Sequence, residues 1–287
     1  MRKALGICLW FVTFCFSIPF ETKAQLFEPT LKLEKVIGNV YVAKQGAPLD
    51  PILHTGPGTY LTVNMYVIAS EDGKELVLID APGLPVMMSY FMEVLNAEFP
   101  GATIKAILLT HDHLDHCGSI PLFVASGVPA YASSVEVVSA PGPLDVPLVY
   151  FAAPINPGFS IPLGTGAVTA VDLAGHTPGH LAFAFFPDGE NGKINWLFTG
   201  DALMAPPDYQ KEPDPWDLTN AVRMMMLNQD TFSLALWQSN LVTVKDLLTN
   251  KAKLFPGHGP ISDGYFWRDP AGYIDYTVTM LQQVAAP

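Results

Sequence analysis

Apolar residues along the chain fall into short runs, and the period of each run predicts the element it forms. LTVNMYVIAS (61–70) and ELVLID (75–80) have strand composition and are split by the turn-forming EDGK, a hairpin pattern. PVMMSYFMEVLNAEF (85–99) places Met88, Phe91, Met92 and Leu95 on one helical face. IKAILLT (104–110) then reads as a strand that ends at His111. A second cycle follows, with strands over 167–174, 180–186 and 193–200, a helix over 231–250 and a strand in AKLFPG (252–257). Two runs of strands with helices between them predict two sheets face to face, covered outside by helices. Neither a low-complexity tract nor an internal repeat interrupts the pattern, so one domain over 25–287 is the expected organisation.

The N-terminal run departs from this scheme. MRKALGICLWFVTFCFSIPFETKAQ has basic residues first, an apolar run from Ala4 to Phe20, then a small-residue exit at Ala24. That layout predicts a signal peptide over 1–24 with cleavage before Gln25, hence a periplasmic or secreted protein with no stable membrane association. A retained anchor is the competing reading, because the apolar run approaches spanning length.

Charge narrows the partners. Taking Arg2, Lys3, Lys23 and Glu21 from 15 basic and 27 acidic residues leaves 12 and 26, a net charge of −14. Such a chain repels phosphate backbones, so a small molecule is the expected partner and nucleic acid is not. Cys8 and Cys15 leave with the signal, and Cys117 then has no intrachain cysteine to pair with.

The candidate chemistry lies in HDHLDH (111–116), directly behind an apolar run. At a strand end His111 and His113 are two apart and point the same way, so both imidazoles can reach one metal ion. Asp115 and His116 follow on the turn and can serve a neighbouring ion. Further ligand-type residues stand beside glycine at later strand ends: His176 in GHTPGH, Asp201 in FTGD and His258 in PGHG. Imidazole and carboxylate donors suit zinc.

HDHLDH, GHTPGH, FTGD and PGHG in this order resemble the metallo-β-lactamase-fold superfamily of metallohydrolases. The resemblance implies an αββα sandwich with two Zn²⁺ ions. It places His111, His113 and His176 on one ion, Asp115, His116 and His258 on the other, and Asp201 between them. It also implies a hydroxide held between the ions as the nucleophile, with Asp115 orienting it or accepting its proton.

Within that family the resemblance points most to lactonases that open cyclic esters such as N-acyl homoserine lactones, a quorum-quenching activity. The alternatives are a secreted β-lactamase, a thioesterase of the glyoxalase II type, and a non-hydrolytic zinc or di-iron protein. Family members that hydrolyse β-lactams typically lack a bridging aspartate at the place of Asp201. The thioesterase reading meets a mismatch of compartment and no basic C-terminal patch. Between Asp201 and Thr231, Met204, Tyr209, Trp216 and the Met224–Met226 run could form a substrate-facing cover or simply pack a connection. The resembled lactonases carry a tyrosine soon after the bridging aspartate, where this chain has Ala202, Leu203 and Met204; Tyr209 is the candidate replacement.

The remaining polar residues have plainer expectations. His54 reads as a loop residue, Asp112 as a solvated or turn-capping carboxylate, and Cys117 as a small packed thiol. Two readings stay open for His180, a partner that orients a ligand or a structural residue of its turn. Asp80, in LIDAPG, resembles the family's buried turn aspartate.

Overall fold

A computed structural model describes residues 31–48, 60–139, 152–187, 192–203, 233–258 and 269–285. The first sheet has seven strands in sequence order: β1 (Leu33–Ile37), β2 (Val40–Pro48), β3 (Tyr60–Ala69), β4 (Glu75–Ile79), β5 (Thr103–Leu108), β6 (Ala130–Ser133) and β7 (Ala153–Ile155). Strands β1 to β4 pair antiparallel and include the hairpin across 71–74. From β4 to β7 the pairing is parallel, so each connection crosses back over the sheet. Those crossovers carry α1 (Met87–Glu98), α2 (Leu114–Cys117), α3 (Ile120–Ala125) and α4 (Ser134–Ser139).

The second sheet runs β12 (Leu248–Pro256), β11 (Ile194–Gly200), β10 (Leu181–Phe186), β9 (Gly166–Asp172) and β8 (Ser160–Leu163). Only β11 and β12 are parallel, and α5 (Leu234–Leu247) lies in the connection between them. A last helix, α6 (Pro270–Ala285), packs beside α5.

Period-two alternation sorts the side chains into three apolar layers. Val40, Val42, Tyr66, Ile68, Val77 and Ile79 meet Leu181, Phe183, Phe185, Phe198 and Phe255 between the sheets. Tyr41, Met65, Val67 and Leu78 face outward to Phe91, Leu95 and Phe123 of the helices. Ala182, Ala184, Leu197 and Leu254 face outward to Trp237, Leu241 and Tyr273. Strand β10 is buried on both faces, with bulky phenylalanines inward and alanines under the helices. The result is the αββα sandwich that the pattern predicts.

Three boundaries shift for local reasons. Strand β5 ends at Leu108 rather than Thr110, because the Thr110 amide leaves the ladder to donate to Asp80 Oδ1 at 2.8 Å. The helix expected through 250 stops at Leu247, since Leu248 turns extended (φ −73°, ψ 149°) and pairs with Ile194 of β11. On α1, Met87, Phe91 and Leu95 are fully buried while Met88 and Met92 only lean on the core, a face rotated by one position. Among the described residues no helix is long and apolar enough to cross a membrane.

Candidate metal centre

Strand direction brings the candidate residues to one edge. β9, β11 and β12 point the same way, so His176, Asp201 and His258 emerge together at their C-terminal ends. The end of β5 joins them there, where the Leu181 amide donates to the Thr110 carbonyl at 2.8 Å. Two clusters form, one of His111, His113, His176 and Asp201, the other of Asp115, His116 and His258; the donor atoms of each lie within 4.8 Å of one another.

Asp201 links the clusters. Its Oδ2 is 3.1 Å from His258 Nε2, 3.7 Å from His111 Nε2 and 3.8 Å from His176 Nε2, while Oδ1 is 3.2 Å from His116 Nε2. His176 Nε2 also faces His113 Nδ1 at 3.3 Å, and His258 Nε2 faces Asp115 Oδ2 at 3.4 Å. Asp115 is the open member, with its side chain 35% exposed against 2% for Asp201.

The orientation of the rings is set from behind. Asp80 Oδ2 accepts a hydrogen bond from His116 Nδ1 at 2.9 Å, which leaves the Nε2 lone pair aimed into the centre. Thr110 Oγ1 lies 2.9 Å from His111 Nδ1 and donates to Asp80 Oδ2 at 2.9 Å, so one carboxylate orients a ligand of each cluster. Asp80 does this from a left-handed backbone (φ 63°), a conformation uncommon for a residue with a side chain and often found at functional sites.

His258 is positioned across the sandwich. Tyr66 Oη donates to the Pro256 carbonyl at 2.6 Å, Asn64 Nδ2 donates to the same oxygen at 3.0 Å, and the Asn64 amide donates to Gly257 O at 2.7 Å. Burial pushes Tyr66 well above the usual phenol range, so its hydroxyl keeps the proton it donates.

The electrostatics divide the two clusters. Burial, helped by neighbouring histidines, holds His111 and His176 well below the usual imidazole value, neutral and ready to ligate. Burial opposes charge on His116 and His258 too, yet Asp201 and Asp115 outweigh it and raise both. Burial likewise opposes charge on Asp201, and His258 and His116 overcome it and hold its carboxyl well below the usual range. His111 Nε2 is buried without a hydrogen-bond partner among the described residues. Buried polar atoms of this kind ordinarily have partners, and a zinc ion is one that this donor set fits.

Residues outside the clusters sort differently. Cys117 is buried and donates its thiol to the Asp112 carbonyl at 3.2 Å, as a packed thiol would. Asp112, expected as a solvated or turn-capping carboxylate, is half-buried and lies against Glu136. His180 Nε2 donates to the Thr199 carbonyl at 3.0 Å and its ring stacks on His111 at 4.9 Å, so it supports the centre by packing. Thr110, Asn64, Tyr66 and Glu136 carried no signal in the motifs. Met204, Tyr209, Trp216, His54 and the signal segment 1–24 lie outside the described residues.

Residues 58–258 match the family model of the metallo-beta-lactamase superfamily, and the chain belongs to that superfamily. Among curated proteins it is similar to a hydroxyacylglutathione hydrolase of Fuscovulum blasticum, 33% identical over 129 residues that cover 45% of this chain and 43% of that one. It is also similar to the probable metallo-hydrolase YflN of Bacillus subtilis, 31% identical over 172 residues, 51% of this chain and 62% of the other. The aligned segments thus span about half the length of these relatives. Solved structures share the fold: a metallo-beta-lactamase from Pontibacter korlensis (TM-score 0.61, 16% identity, 88% of this chain and 99% of that one). FIM-1 from Pseudomonas aeruginosa in its mono-zinc form is a second (TM-score 0.63, 17% identity, 90% and 97%).

Proposed function

We propose that this chain is an exported dinuclear zinc hydrolase that opens an acyl ester, with a lactone such as an N-acyl homoserine lactone as the favoured substrate class. The observation that carries the reading is the reach of Asp201, whose two oxygens lie 3.1–3.8 Å from histidines of both clusters. His111, His113 and His176 would hold the first ion, Asp115, His116 and His258 the second, and Asp201 would touch both.

When bound, a zinc pair supplies a water that ionises near neutral pH and a Lewis acid for a carbonyl oxygen. The chain's own residues do the rest. Asp80 and Thr110 keep the Nε2 lone pairs of His116 and His111 turned inward. Asp115, open at the mouth with Oδ2 3.4 Å from His258 Nε2, would hold the ion through that oxygen and use its other oxygen to orient the attacking water and accept its proton. The proton is then available to the alcohol that leaves when the acyl bond breaks.

A thioester is the second reading, favoured by the similar curated proteins, several of which are hydroxyacylglutathione hydrolases. A panel on the zinc-loaded protein separates the two: homoserine lactones, S-lactoylglutathione, a cephalosporin and a phosphodiester. The proposal expects turnover of a lactone above the others. A thioester hydrolysed faster selects the second reading, and no acyl turnover on any of them refutes the ester-hydrolase assignment.

A further inference from the structure

His176 differs from its counterparts in how its ring is held. His111 Nδ1 is tied to Thr110 and His116 Nδ1 to Asp80, but His176 Nδ1 is buried with no hydrogen-bond partner among the described residues. Its ring meets Trp237 at 5.3 Å, a packing contact without directional preference for one nitrogen. Ring packing against Trp237, His111, His113 and His180 surrounds it, and the backbone of the HTPG turn sets where the ring starts from.

That turn is anchored on one carboxylate. Glu136, 1% exposed on α4, accepts from the Gly179 amide at 2.8 Å and from the Thr177 hydroxyl, both through Oε1. The contact is close enough that a Cβ on Gly179 would meet Ser133 Oγ at 2.5 Å and Val135 Cβ at 2.9 Å. A carboxyl group buried this far is costly unless it is hydrogen-bonded, and its two donors both come from the turn to Oε1, so α4 and the turn hold each other in one arrangement. Asp112, between His111 and His113, lies against the same carboxyl, which places Glu136 beside both loops that carry the first cluster.

We infer that Glu136 is a positioning residue for the first metal site: it touches no ligand, and it fixes His176 by holding Thr177 and Gly179. The inference rests on the proposal that His111, His113 and His176 bind zinc. Outer groups of this kind are worth about 10–100-fold in metal affinity.

The test is a zinc titration against a competing chelating dye on the parent, Glu136→Ala and Glu136→Gln, with thermal melts of the metal-free proteins alongside. Gln keeps an oxygen that accepts from both donors and Ala does not. The expected result is a first-site affinity about 10–100-fold weaker for Glu136→Ala and within about threefold of the parent for Glu136→Gln. Parental zinc affinity in Glu136→Ala, with only its melting temperature lowered, would overturn the inference by showing a purely structural role. If Glu136→Ala does not fold, Thr177→Val decides, since it removes one donor and keeps the carboxylate; weaker first-site affinity supports the inference and an unchanged one refutes it. A parent that takes up no zinc overturns the metal reading itself and the inference with it.

Discussion

The Asp80 carboxylate stands 2.9 Å behind His116 Nδ1 and, through the Thr110 hydroxyl, also behind His111. One buried side chain thus orients a histidine of each cluster, which makes the two halves of the centre a single mechanical unit.

Asp80→Asn tests that relationship, because asparagine tolerates the left-handed backbone that Asp80 adopts. The amide can no longer accept from both Thr110 and His116 with a full charge. Affinity for a second zinc is expected to fall about 10–100-fold with the fold retained. Calorimetric titration gives the number, and an unchanged second-ion affinity would show that His116 needs no support from Asp80.

The pH response should differ between the clusters. His116 and His258 are raised despite burial, so in the metal-free protein a proton on them competes with zinc below their raised values. His111 and His176 are lowered by burial and carry no competing proton at neutral pH. Second-ion affinity should therefore climb as pH rises through the ordinary imidazole range and on toward the raised values of His116 and His258, by up to about tenfold per unit for each proton displaced. That of the first should stay nearly level with respect to these two residues. Titrations in buffers of different ionisation heat count the protons released, and equal release for both ions would contradict the account.

Close backbone contact under the centre predicts a steric failure. A Cβ at Gly118 would sit 1.8 Å from the Gly83 carbonyl oxygen, so Gly118→Ala must separate the 80–83 turn from α2. Overpacking of this sort costs about 1–3 kcal/mol. A lower melting temperature with loss of the second metal is expected; a variant that melts and binds like the parent would mean the two turns yield freely.

Cys117→Ala should behave in the opposite way. The thiol is buried, burial raises it well above the usual thiol range, and it donates to a backbone carbonyl rather than facing the clusters. Turnover should stay near the parental rate, with a stability cost of about 1 kcal/mol. An inactive Cys117→Ala that still binds zinc would point to the thiol as nucleophile.

The seven candidate ligands were legible because each stands beside glycine or within one dense motif at a strand end, where sequence neighbours are also spatial neighbours. The αββα layering was legible for a similar reason, since β10 alternates Leu181, Phe183 and Phe185 with Ala182 and Ala184. The supporting residues were not. Tyr66 reads as an ordinary strand aromatic, and its partner Pro256 lies 190 positions away. Glu136 falls in a stretch that no motif or period marks, and only Gly179, 43 positions on, reveals its role by donating to it. Thr110 reads as the last residue of a strand, and only Asp80, 30 positions earlier, draws it out of the ladder. Periodicity reports which face is apolar; it carries no information on which buried polar atoms meet across the two sheets.

The count of metal ions bears most directly on the central claim that Asp201 joins two sites into one. Zinc-reconstituted parent protein and Asp201→Ala, freed of loose metal by desalting, would be assayed by elemental analysis alongside protein concentration. The account predicts about two zinc ions per parent chain, and a marked loss of metal in Asp201→Ala while its far-ultraviolet circular dichroism stays parental. A parent that saturates at one ion, or an Asp201→Ala protein that keeps the full complement, would contradict it.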